Sequence, residues 1–459
     1  MDQTSTQHDV ELQQRDTSTE NIPEYATGLG LGENHGQSLP QYDGGRAAWR
    51  LLLAAFVFEA LLWGFPLSFG VFQNYYSRLP AFANHSFISV IGSTSSGISY
   101  LAAPFIIPFI RRRSKYRRHM ILIGWPICLL SLVAGSFANS LGALIFTQGI
   151  MYGVGFVIFY YPILSMVNEF WVARRGMAYG LLCSASGVSG AAMPFCIEAL
   201  LEKYGYQTTL RAIAVGLFVL TAPLIPLLKG RLPESEVSAT AATKTDWTFL
   251  KTPLFWIYNA SNLAMGAGYF FPGLYLPSYA ISNGLSSTQG VVLLAIMSVS
   301  QVLGQVSYGY LSDQNPLPLN LLSISSTLTA TVAVFACWGL AHTFPLLVVF
   351  SLVYGFFGAG YTAMWARMGT AISSEPTAAF AVFGLLNFGK GIGNVLAGPI
   401  SGALLKSATE LDDDSYGTRR YRLIVLFTGS CMCASAAMVA LCYVKRLPSC
   451  CSLVLFQRR

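Results

Sequence analysis

The stretch LLLAAFVFEALLWGFPLSFGVF, Leu51 to Phe72, carries one charged side chain, Glu59, and is otherwise almost wholly apolar. A helical membrane pass needs about 20 such residues in a row. Without water to satisfy an open strand edge, a segment of this kind must close its hydrogen bonds within itself, as a helix. Outward from that first run, a window of about 19 residues finds eleven more. The twelve fall near 50–72, 88–110, 120–138, 142–164, 177–199, 211–228, 253–276, 289–311, 319–340, 343–365, 379–405 and 423–443.

Composition excludes the alternatives. Of 459 residues 53% are hydrophobic and 11% charged, whereas a soluble domain carries roughly 25% charged residues to cover its surface. The nine cysteines show no Cys-x-x-Cys spacing, and all five histidines lie outside or at the edge of the apolar runs. Metal sites, cofactors and a histidine-based membrane enzyme are therefore not expected. Residues 1–46 are polar and hold nothing to bury. They lack the basic and apolar regions of a signal peptide, so they read as a disordered tail.

An even number of passes puts both termini on one side. With the termini in the cytosol, inside segments hold 20 Lys and Arg and outside segments 7, with Lys390 within a run. The positive-inside rule thus predicts cytosolic termini. It also accounts for the net charge of +7 without nucleic acid. Asn84-His85-Ser86 is a glycosylation sequon in the first predicted outside loop, although a match this short also arises by chance.

The halves repeat each other. Phe65-Pro66 recurs as Phe271-Pro272, Tyr152-Gly153 as Tyr354-Gly355, and Gly180-Leu181-Leu182 as Gly384-Leu385-Leu386. Each match lies six runs on, at nearly one offset. Two like-oriented six-helix bundles are implied, with a solute site between them near the bilayer midplane. The expected fold is an all-α membrane protein of twelve transmembrane helices in two pseudo-symmetric bundles. Its divisions are a tail at 1–46, bundles at 47–228 and 252–446, a cytosolic linker at 229–251 and a tail at 447–459.

The motifs resemble the monocarboxylate porter branch of the major facilitator superfamily, in its fungal form. They are Asp43-Gly44-Gly45…Trp49 before run 1, then Trp63-Gly64-Phe65-Pro66, and Phe170-Trp171-Val172-Ala173-Arg174-Arg175-Gly176 through Gly180 after run 4. Tyr204-Gly205 with Arg211, and Gly309-Tyr310-Leu311-Ser312-Asp313, complete the set. The resemblance covers about 43–446 and implies a transporter working by alternating access. It also departs from the branch. Leu67 stands where lactate-type carriers place a lysine, and Gln301 and Gln305 stand where those carriers place an Asp and an Arg. A proton–lactate mechanism is not implied for this chain.

Ionisable groups at membrane depth cost roughly 2.5–3.5 kcal/mol even on insertion scales, so each needs a reason. Two lie deep, Glu59 in run 1 and Lys390 in run 11. Helical spacing adds polar stripes: Asn387, Lys390 and Asn394; Gln301 and Gln305; Tyr361 and Trp365. These residues are the candidate substrate and coupling site, with Lys390 attracting an anionic or carbonyl-bearing solute. Glu59 would couple protons or hold Lys390 when the site is empty. The bland alternative is polar glue between helices. Arg174, Arg175 and Asp313 are candidate gating residues. Gly384…Gly389-Lys390 mimics a phosphate loop, but Gly391 replaces the required Ser or Thr.

The functional expectation is a secondary-active carrier of a small organic solute, working as a monomer in the lipid bilayer of the plasma membrane. Gln, Tyr and Trp in place of the lactate-type charges favour a bulkier or less acidic metabolite over proton-coupled monocarboxylate uptake, and the resemblance to the fungal form implies export. A transporter-like nutrient sensor would need longer cytosolic tails.

Overall fold

A computed structural model of the chain describes residues 41–80, 82, 88–232, 245–314, 317–408 and 418–456. Among them every regular element is helical. Nine stretches are long and apolar enough to cross a membrane, and Val90–Leu101 with Ala103–Arg112, bent by 47°, make a tenth. Arg175–Leu227 supplies two passes, because it turns at Gly205, whose φ of 72° is left-handed and suits glycine. Pro253–Ser282 completes twelve, its apolar character diluted by Asn259, Ser261 and Asn262.

In chain order, span 1 is Gly45–Arg78, span 2 the bent pair, span 3 Ser114–Gly135 and span 4 Leu141–Phe170. Spans 5 and 6 lie either side of Gly205. Span 7 is Pro253–Ser282, span 8 Thr288–Ser312, span 9 Leu319–Trp338, span 10 Phe344–Ile372, span 11 Pro376–Ala408 and span 12 Thr418–Phe456. Breaks interrupt several: span 1 at Ser68, two residues after Pro66, and span 10 at Met364. Span 12 continues well beyond the end expected near 443.

Spans 1–6 pack on one another, as do spans 7–12, and the halves meet where span 5 lies on span 8 and span 2 on span 11. Exchanging the halves turns the first pair into the second, as a pseudo-twofold relation requires. The 5–8 crossing is close because both helices present glycine. A Cβ on Gly309 would fall 2.6 Å from the Gly180 Cα, and one on Gly180 would fall 2.6 Å from the Gln305 carbonyl oxygen. Bulkier residues would force the halves apart.

At the arginine-rich end, the start of span 5 offers N–H groups with no partner inside the helix. Asp313 takes two of them, and Asp43 takes those of the loop just before. Asp313, after span 8, accepts from Gly176 N (2.9 Å) and Met177 N (2.7 Å) and pairs with Arg367 at 3.3 Å. Burial raises its carboxyl pKa above the ordinary aspartate value, and these donors and Arg367 act against that shift. Asp43 accepts from Val172 N (2.8 Å), Ala173 N (3.1 Å) and Arg174 N (2.8 Å).

Two sequence expectations change here. The Arg174 and Arg175 side chains do not hold Asp313: Arg174 is exposed, and the Arg175 Nε donates to Trp171 O at 3.2 Å. The helix N-terminus supplies better-placed donors than either side chain. Tyr42 and Asp43, assigned to a disordered tail, are both engaged: Asp43 is fastened to the loop after span 4, and Tyr42 packs against Arg231, after span 6. The Arg231 guanidinium lies 3.5 Å from the Tyr42 ring centroid. The sequon Asn84 and residues 1–40 lie outside the described residues.

Candidate solute-binding cavity

Glu59 sits on span 1 one turn before Trp63, so both face the same way. The Trp63 ring stacks on Phe156 of span 4 (centroids 4.8 Å apart) and meets Tyr100 of span 2 edge-on at 5.0 Å. Phe156 stacks in turn on Tyr160 at 4.9 Å, one turn further along span 4, and the Tyr160 hydroxyl donates to Glu59 Oε2 at 3.1 Å. Three aromatic rings thus lead from Trp63 to the carboxylate. The other Glu59 oxygen has no protein partner among the described residues.

Lys390 arrives from the other half. Span 11 carries it against span 2, and its ammonium lies among four rings: Tyr269 at 4.4 Å, Trp365 at 5.1 Å, Phe270 at 5.5 Å and Tyr100 at 5.6 Å. Desolvated cation–π contacts reach about 2 kcal/mol each. A few such faces can offset the cost of placing an ammonium at depth. They do not satisfy its three N–H donors, and among the described residues Lys390 has neither an ion pair nor a hydrogen-bond acceptor. Glu59 and Lys390 are 5% and 6% exposed and line one cavity, yet no salt bridge joins them.

The cavity and the open space at its mouth together amount to about 550 Å³. Half of its lining side chains are aromatic. Gln305, Trp365 and Asn387 line it as well; Gln305 Nε2 donates to Thr362 Oγ1 at 3.3 Å, and Asn387 Nδ2 to Phe383 O of its own helix at 2.9 Å.

Three candidate residues fall elsewhere. The Tyr361 hydroxyl is bonded to Ser261 Oγ at 2.9 Å within the second half. Gln301 Nε2 donates to Ser186 Oγ at 3.2 Å across the 5–8 crossing. Asn394 is not among the lining residues, one turn beyond Lys390. A polar stripe on an apolar helix answers a neighbouring helix as readily as a cavity, and these three stripe positions do not line it. Sequence reading missed Tyr100, Phe156, Tyr160 and Cys183, all of which line the cavity. The adjacent Tyr160-Tyr161 inside an apolar run was the available signal, because a buried tyrosine hydroxyl usually has a partner.

The family model described as Major Facilitator Superfamily matches residues 51–335. The chain belongs to that superfamily. Among relatives of this major facilitator chain, "MFS-type transporter pynF" of Aspergillus niger is 26% identical over 378 residues, covering 82% of this chain and 86% of its own. "Aspyridones efflux protein apdF" of Emericella nidulans is 25% identical, covering 80% and 74%. "Monocarboxylate transporter 13" of Rattus norvegicus is 26% identical, covering 79% and 83%. The human organic anion transporter MFSD10 (TETRAN) superposes with a TM-score of 0.64 at 14% identity, over 85% of this chain and 99% of that one. At that identity the likeness shows the fold alone. The major facilitator chain is a multi-pass membrane transporter and not an enzyme.

Proposed function

We propose that this carrier exports an anionic, ring-bearing organic metabolite by alternating access, with Lys390 as its anion-binding group. The observation that carries this reading is the Lys390 ammonium: it is buried in an aromatic-walled cavity between the halves and has no acceptor among the described residues. Direction is supported by the Emericella nidulans relative, named an efflux protein. The bundles 47–228 and 252–446 would rock about the 5–8 and 2–11 crossings, joined by the linker 229–251. The arginine-rich end and both termini would face the cytosol, with the chain in the plasma membrane. Glu59 would serve solute binding or proton coupling.

Counterflow in proteoliposomes loaded with an aromatic carboxylate tests the reading. Lys390→Gln keeps length and polarity but removes the charge, and exchange should fall by about tenfold or more, equivalent to about 1.4 kcal/mol. Exchange at the unaltered rate would refute the assignment. A second reading, proton-coupled uptake of a monocarboxylate, draws on the likeness to "Monocarboxylate transporter 13". It predicts accumulation driven by an imposed proton gradient.

A further inference from the structure

The cavity has two unlike poles, contributed by opposite halves. One is the Lys390 ammonium on span 11, which can only donate. The other is the Glu59 carboxylate on span 1, which commits Oε2 to Tyr160 and leaves an oxygen without a protein partner among the described residues. The poles line the same space without pairing. A ladder of rings, Trp63, Phe156 and Tyr160, runs along the Glu59 side, and Trp365 and Tyr100 flank Lys390.

We infer that the solute is two-ended: a flat conjugated acid that also carries a hydroxyl or N–H donor on its far edge. This rests on the anion-carrier reading above and narrows its substrate class. The acid oxygen meets Lys390, the donor meets the free oxygen of Glu59, and the ring lies against the aromatic wall. Such a solute bonds both halves at once. An acid without the donor engages the Lys390 half alone, and so it occupies the cavity without drawing the halves together. Glu59 is thereby a specificity residue as well as a binding one. Simple monocarboxylates become competitors and poor cargo.

The test uses the full-length chain in proteoliposomes with two probes, benzoate and 4-hydroxybenzoate. Counterflow reads transport, and quenching of tryptophan fluorescence reads binding. The unaltered protein should favour the hydroxy acid by about tenfold in counterflow, as a hydrogen bond to a charged group warrants. Glu59→Leu should bring that ratio close to one. Glu59→Gln, which keeps a carbonyl acceptor, should retain part of the preference, which a merely structural role would not predict. Tyr160→Phe, which leaves the carboxylate in place, should keep the preference and serves if the leucine variant fails to fold. Equal transport of the two acids by the unaltered chain, or a ratio unmoved by Glu59→Leu, overturns the two-ended solute while leaving the anion carrier standing. Benzoate binding that survives Lys390→Gln unchanged, or no binding of either acid, overturns both.

Discussion

At Lys390 the rings do part of what water does for an ammonium elsewhere. Tyr269 is the nearest of them, so the pair should be coupled. In reversible unfolding from mixed micelles, a double-mutant cycle of Tyr269→Leu with Lys390→Met should give a coupling of about 1 kcal/mol; additive effects would remove Tyr269 from the cage. Charge is also what made Glu59 and Lys390 legible in the sequence, since a lone ionisable residue in an apolar run stands out. Of the cavity tyrosines only the Tyr160-Tyr161 pair left a cue, because a window average over an apolar run hides a single hydroxyl. Tyr361 and Gln301 misled for the opposite reason: helical spacing tells which residues share a face, but not whether the neighbour on that face is space or another helix.

At the scale of elements, span 5 and the loop before it are held by one acid each: Asp43, from before span 1, holds the loop, and Asp313, from the other half, holds the start of the span. Hydrogen bonds to a charged group contribute about 1.5–3 kcal/mol each. Asp313→Ala should therefore loosen closure at this end. In a chain whose other cysteines are serine, Cys183 in the cavity should then react at least about tenfold faster with a membrane-impermeant thiol reagent added from the arginine-rich side. An unchanged rate would show that Asp313 is not a latch. The contacts of Asp313 were half legible. The Gly-x-Leu-x-Asp pattern marked Asp313, but nothing in the spacing said that its partners would be backbone N–H groups. The bend at Ala102 was marked only by Pro104, which stands at the start of the following helix.

For the whole molecule, twelve apolar runs and a repeat six runs apart were enough to anticipate the architecture, because lipid leaves the chain few alternatives. Orientation rests on the uneven distribution of Lys and Arg. Epitope tags on the two termini should be reached by antibody only after cells are permeabilised, and staining of intact cells would reverse the assignment. What the repeat does not show is how tightly the two copies are sewn internally. Spans 5 and 6 are joined through Gly205 with helix on either side and no intervening loop. Such a hairpin has no slack, so the two passes cannot slide past each other. If Asp313 latches this end, any tilt released there would travel up span 5, around that single residue and down span 6, returning to the face where it began at the first residues after span 6.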